Sequence, residues 1–267
     1  MDKRFKMKNL FTVCLLFIWT SSQAQSLTAI QIVERAQDAI KVKGVQGVSV
    51  MRILDEKGRE RVRKIRQVTK LYDNGDTEKR LLRFMAPADV KGTGLLTFDY
   101  EDRDDDLWLY MPALRKSRRI VSTEKAKNFM GSEFTYSDMT PPALDDFTFN
   151  LLGEADVNGT LCYKVEWIPR DEDIAEENGY SRRVTFFGKT DFVIRKAEYD
   201  DLDGEPLKEL IVYKVKELDP VNHKYRAMHL EMTNKQNDRR SIMINEQLEF
   251  NPNIKDDYFT TRYLERE

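Results

Sequence analysis

The feature that most constrains this chain is a period-two alternation that returns along most of its length. Leu161, Tyr163, Val165 and Trp167 alternate with Cys162, Lys164 and Glu166, the pattern of a strand with one apolar and one wetter face. Met228, Leu230 and Met232 alternate with polar neighbours in the same way, as do Ile242, Ile244, Leu248 and Phe250, and Ile211, Tyr213 and Val215 form a further apolar face. Weaker strand candidates cover 45–54, 60–71, 78–85, 94–100, 106–111, 182–188 and 192–199. Asp73-Asn74-Gly75-Asp76, Asn158-Gly159, Asp203-Gly204 and Asn234–Asp238 stand between them, and these residue types suit tight hairpins. The spacing predicts a meander of about ten or more strands.

One helix precedes the strands. Thr28 is placed as its N-cap with Gln31 completing a capping box, Leu27 and Ile32 sit at the positions of a hydrophobic staple, and Val33, Ala36 and Ile40 recur at helical spacing. Gly44 is expected at the C′ position. One helix cannot cover a sheet of this size. A closed barrel, or a half-open barrel with helices plugging its mouth, would bury the remaining face, and both leave room for an apolar cavity.

The alternation breaks over 112–150, which holds Pro112, Pro141, Pro142 and the run "NFMGSEFTYSDM". Its Phe129, Met130, Phe134, Tyr136 and Met139 argue against disorder. A long irregular insert in a β domain is commonly a functional loop or lid, and short helices and turns packed across the sheet or its mouth are expected here. The insert opens on "LWLYMPALRKSRRI", where Arg115, Lys116, Arg118 and Arg119 follow Trp108 and Tyr110. A charge run after a strand is commonly a solvated hairpin. Arginine also favours bidentate contact with carboxylate or phosphate, so the cluster suits either an anionic head beside an apolar cavity or an acidic patch on a partner protein. Trp108 and Tyr110 are expected on a barrel strand, with the cations at or near the cavity rim.

Residues 1–24 read as a secretory signal peptide: Lys3, Arg4, Lys6 and Lys8, then an apolar run Leu10–Trp19, then Ser22-Gln23-Ala24 with small residues at the cleavage positions. Cleavage near Ala24 would leave a single domain over 25–267 in the periplasm, with the lid-like insert at 112–150. The leader holds four cations and Asp2, so its loss makes the chain more acidic than the overall net charge of −2. That argues against a general nucleic-acid binder. Cys162 would then be the sole cysteine, which excludes an intramolecular disulfide.

Catalytic and cofactor motifs are missing. The two histidines, His223 and His229, read as a surface and a strand residue. There is no HExxH, no G-x-S-x-G and no phosphate-binding glycine loop. In "DDLDGE" a calcium loop centred on Gly204 would need ligands at Tyr199 and Leu210, which cannot serve. No metal, cofactor or catalytic residue is expected.

"DLWLYMPALRKSRRI", "NFMGSEFTYSDM" and "NPNIKDDYFTTRYLER" together resemble the outer-membrane lipoprotein-sorting-like proteins of the LolA/LolB superfamily, in the branch of exported proteins often encoded near resistance-nodulation-division (RND) type exporters. The resemblance covers most of the chain after residue 24 and is most specific over 106–140. It implies a mainly β, half-open antiparallel barrel with an N-terminal helix and a helical lid, and a cavity that holds acyl chains. It also implies a monomeric periplasmic carrier of a lipid or lipoprotein, with Trp108, Tyr110, Phe129, Met130, Phe134 and Tyr136 in the cavity or lid. The cations of 115–119 would contact a headgroup or a partner. An RND-type exporter or an outer-membrane acceptor is the implied partner, and an exporter adaptor acting by protein docking is the alternative role. In the better-known carriers a barrel arginine tethers the lid, and no motif in this sequence marks its position.

Overall fold

The computed structural model describes residues 26–266, so the expected leader and its cleavage near Ala24 lie outside the described residues. The first helix, α1 (Ala29–Ile40), is set by its N-terminal chemistry. The Thr28 N–H donates to Gln31 Oε1 at 3.0 Å, and the Gln31 N–H donates to Thr28 Oγ1 at 3.4 Å. Ile32, Val33, Ala36 and Ala39 form its buried stripe. The helix ends at Lys41 in extended backbone, so Gly44 is not its C′ residue but the first residue of a strand. Gly44 serves packing there, because a Cβ would sit 3.0 Å from Ile254 Cδ1.

Among the described residues, thirteen strands form one open antiparallel sheet. β1 (Gly44–Leu54), β2 (Glu60–Tyr72), β3 (Thr77–Ala86), β4 (Gly94–Tyr100), β5 (Asp106–Met111) and β6 (Lys116–Ile120) step from the middle of the sheet to one edge. β7 (Phe147–Val157), β8 (Thr160–Pro169), β9 (Arg182–Gly188), β10 (Ile194–Asp200), β11 (Pro206–Asp219), β12 (Lys224–Asn234) and β13 (Arg240–Phe250) step back from the other edge. There β13 pairs with β1. The four hairpin sequences singled out above all lie at strand-to-strand turns.

One continuous apolar cluster joins both halves of the sheet: Met51, Ile65, Phe84, Leu95 and Leu109 from one side, and Phe147, Val165, Phe187, Tyr199 and Met232 from the other, with α1 against them. The sheet therefore curls around a shared interior. β6 and β7 are nearly consecutive in sequence yet stand at opposite edges, so 121–146 has to span the mouth between them.

The structure corrects three further expectations about the strands. First, the insert is shorter than 112–150, because Lys116, Arg118 and Arg119 of the cation cluster belong to strand β6 and β7 begins at Phe147. Both are edge strands with mostly solvated side chains, and the charged β6, of a kind that blunts further pairing, carries little apolar alternation. Second, the inward face of β11 is Lys208, Leu210 and Val212, whereas Tyr213 is 54% exposed. Third, on β13 the inward residues are Ser241 and Met243 rather than Ile242 and Ile244.

Strands β3 to β5 and the C-terminal end of β2 are covered on both faces. Their outer side carries Val68, Leu81, Leu96 and Tyr110 beneath the C-terminal residues Ile254, Phe259 and Leu264. Burial on two faces erases period two and leaves near-continuous apolar runs such as Gly94-Leu95-Leu96, which explains the weaker alternation there. Arg83 pins the covering segment by donating from Nη2 to the carbonyls of Tyr263 at 2.8 Å and Leu264 at 3.0 Å, groups that a short C-terminal helix leaves unpaired.

Candidate functional site

The connection 121–146 lies across the mouth of the curled sheet as a lid-like segment. It contains the helix α2 (Ser122–Lys125) and 3₁₀ turns at Phe129–Gly131, Ser137–Met139 and Leu144–Asp146. Its centre folds back on itself through an isolated bridge between Asn128 and Thr135, and the Phe129 N–H donates to the Phe134 carbonyl at 2.7 Å. This turn drives Phe129, Phe134, Tyr136 and Met139 into the barrel, where all four are buried. The Phe129 ring lies 5.8 Å from that of Phe84 and meets Tyr136 edge-on at 5.6 Å. The interior is therefore filled by lid side chains and α1.

Barrel side chains hold the lid by polar contacts. Arg63 of β2 donates to the Met130 carbonyl, and Arg80 of β3 donates to the Met139 carbonyl at 2.7 Å. Arg239, just before β13, donates to the Gly131 carbonyl at 3.1 Å and lies 3.0 Å from the Glu133 carboxylate. Asn234 Nδ2 donates to Glu133 Oε2 at 3.0 Å, and the Glu133 N–H donates to Ser241 Oγ at 2.9 Å. Lys208 of β11 donates to Asp138 Oδ2 at 2.8 Å, where the Thr135 N–H (2.8 Å) and hydroxyl (2.9 Å) also donate. Burial pushes the Asp138 carboxyl up, but the Lys208 charge and these hydrogen bonds outweigh it and hold it below the usual carboxylate range.

Of the residues singled out in the sequence, Phe129, Met130, Phe134 and Tyr136 come together in this lid. Trp108 and Tyr110 do lie on a strand, β5, but face the outer cluster under the C-terminal segment, while Leu107 and Leu109 face the interior. The cations separate. Arg115 sits in the β5–β6 turn with φ 48°, and Lys116, Arg118 and Arg119 are on β6. Arg118 pairs with Glu124 of α2 at 2.5 Å and Arg119 with Asp106 at 2.5 Å. Among the described residues, Arg115 and Lys116 have no ion-pair partner. Arg63, Arg80, Lys208, Arg239 and the lid carboxylates Glu133 and Asp138 were not singled out. The available signal was a charged residue in phase with the buried face of its strand, as Lys208 is with Leu210 and Val212.

A cleft of about 550 Å³ opens at one end of the lid. It is strongly acidic, with Glu78, Asp99, Asp105 and Asp146 among its walls. Among the described residues no three carboxylate, imidazole or thiol groups come together at metal-ligand spacing. Burial, then repulsion from Asp105 and Glu78, pushes the Asp99 carboxyl up to about 7, against the attraction of Arg80 and Lys41. The folded Asp99–Asp105 pair thus keeps a proton that the unfolded chain releases, so its contribution to stability falls as pH rises from 3.8 to about 7. Asp99→Asn removes that dependence. The difference in urea midpoint, variant minus wild type, is expected to grow with pH across this window and level off above it, and a constant difference would contradict the assignment.

Comparison with known proteins gives the fold a context. A family model described only as an uncharacterized protein matches residues 76–266. An outer membrane lipoprotein-sorting protein domain from Vibrio parahaemolyticus is 28% identical, with a TM-score of 0.80 over 89% of this chain and 98% of its own. A DUF1329 family protein from Desulfovibrio piger is 26% identical, with a TM-score of 0.79 over 87% of this chain and 96% of its own. A LolA superfamily protein from Nitrosomonas europaea shares the fold at 17% identity, with a TM-score of 0.67 over 89% of this chain and all of its own (100%). No curated protein matches the chain.

Proposed function

This chain belongs to that family of uncharacterized proteins, built on the LolA-like fold, and on this premise we propose that it is a periplasmic carrier that takes the acyl chains of a lipid or lipoprotein into its half-barrel when the lid swings out. The observation that carries the reading is the pairing of an apolar plug with a polar latch. Phe129, Phe134, Tyr136 and Met139 fill the interior, yet side-chain contacts, rather than strand pairing to the sheet, tie the lid to the barrel.

The energetics favour exchange. Apolar burial is non-directional and contributes about 0.8 kcal/mol per CH₂, so replacing aromatic filler by acyl chain conserves most of the hydrophobic term. The balance between closed and loaded states then rests on the latch, where each net hydrogen bond contributes about 0.5–1.5 kcal/mol. A cargo or partner that competes for Arg63 and Arg80 would shift that balance, and only by its differential affinity for the open state. No covalent step is needed.

The test is native mass spectrometry and lipid extraction of protein purified from its own host, comparing wild type with Arg63→Ala/Arg80→Ala. The double variant loosens the lid and is expected to carry at least as much amphiphile per protein as wild type. If neither protein carries any, the carrier reading fails.

A second reading, an adaptor docking on an acidic surface of an RND-type exporter, is favoured by Arg115 and Lys116, which among the described residues stand without ion-pair partners at the start of edge strand β6. Loss of crosslinked partner in Arg115→Glu/Lys116→Glu, with bound lipid unchanged, would favour it.

A further inference from the structure

The strand register places a polar and aromatic rung across one wall of the interior. Phe149 pairs with Trp167, Trp167 with Arg183, Arg183 with Tyr199, Tyr199 with Lys208, and Lys208 with Asn234. Directly paired residues point to the same face, so six neighbouring strands contribute one side chain each to a single row. The Arg183 guanidinium lies over the rings of Trp167 at 4.8 Å and Tyr199 at 5.3 Å, and the Lys208 ammonium lies over Tyr199 at 4.9 Å. Among the described residues no group accepts from the buried Arg183 Nε.

Two cations on one row, Lys208 buried and Arg183 half-buried, call for anions, and the row supplies none. The lid does. Asp138 reaches down to Lys208, and Glu133 reaches to Asn234 at the end of the row. Lid opening would withdraw both carboxylates and leave Lys208 and Arg183 facing an apolar interior. A buried cation without a partner is costly, so the open state needs a replacement anion at the same place.

We propose that Lys208 and Arg183 form the binding site for the anionic headgroup, a phosphate or carboxylate, of the carried amphiphile, and that Asp138 is an internal stand-in that occupies this site while the lid is closed. The inference rests on the carrier reading and adds to it the charge class of the cargo and the place of its head. The cation–aromatic row suits such a group. Charge-assisted donors to an anion are among the stronger hydrogen bonds, the rings hold the cations in position, and the surrounding apolar wall receives the chain.

The test is displacement of a fluorescent apolar dye by dodecyl phosphate, laurate, dodecyl maltoside and inorganic phosphate. The proteins are wild type, Asp138→Asn, and Asp138→Asn/Lys208→Gln, which removes both partners and leaves neither charge stranded. The readout is the affinity ratio of each anionic probe to the maltoside, which cancels any general loosening of the lid. Asp138→Asn is expected to raise that ratio about tenfold, the equivalent of one charge-assisted contact. The double variant is expected to return it to near one. The more strongly selected of dodecyl phosphate and laurate identifies the headgroup. Inorganic phosphate alone is expected to leave the dye in place, and displacement by it at equal concentration would reassign the site to a free anion and overturn the headgroup role. An unchanged ratio across the three proteins overturns the site while leaving the carrier reading intact. Failure of every probe to displace dye from any of the three overturns both.

Discussion

Phe129→Ala is expected to lower the free energy of unfolding by about 3–5 kcal/mol, the range found when a large buried aromatic is truncated to alanine. Phe129 is 0% exposed although it belongs to a connection, and it touches Phe84 of the sheet and Tyr136 of the lid. The cavity left by truncation is walled by the barrel on one side and the lid on the other, so the structure cannot close it by a small local shift. Urea unfolding followed by circular dichroism measures the loss. A cost below about 1 kcal/mol, the level of a surface substitution, would mean that the lid does not pack into the barrel in solution. The same variant should bind an apolar fluorescent dye more tightly than wild type, because it empties part of the interior without removing a latch.

The second large effect is expected from Lys208→Ala. Lys208 is 5% exposed and is the ion-pair partner of Asp138. Removing one member of a buried pair costs about 3–5 kcal/mol, because the other charge stays buried. The pH dependence identifies the cause. Asp138 is held below its ordinary value of 3.8, so the stability it gains from Lys208 is present above that value and lost as pH falls through the lower folded value. The gap between wild type and Lys208→Ala should therefore be widest near neutrality and shrink in acid. Asp138→Asn/Lys208→Gln should cost less than Lys208→Ala alone, since no charge is stranded, and a double-mutant cycle measures the coupling. Equal losses for the single and double variants would place the effect in packing rather than in the ion pair.

Much of the fold was legible. Tyr163, Val165 and Trp167 face the interior as their alternation requires, whereas Leu161 at the start of the run is exposed and Cys162 is buried against Val184 and Phe186 on the other face, and Thr28 with Gln31 caps α1 as their spacing requires. These features are local: a strand pleat repeats every two residues and a capping box closes within four. β6 was hidden because its pairing with β5 needs no apolar face of its own. The two-sided burial of β5 was hidden because Trp108 and Leu107 are both apolar, and nothing in that run tells which face meets the interior and which meets the C-terminal segment. The aromatic lid was legible as a composition that resists disorder, but its attachments were not.

The sequence by itself determined the strands, their hairpin order and the presence of one packed insert, because each depends on residues that are neighbours in the chain. Only the tertiary structure decided what the insert does. Curling the sheet put β6 and β7 at opposite edges and stretched the insert over the mouth between them. The register then lined up Arg183, Tyr199 and Lys208 from three strands beneath it. Asp138 and Lys208 are 70 positions apart. No periodicity or turn chemistry reaches that far, and the contact exists only because the whole sheet curls around it.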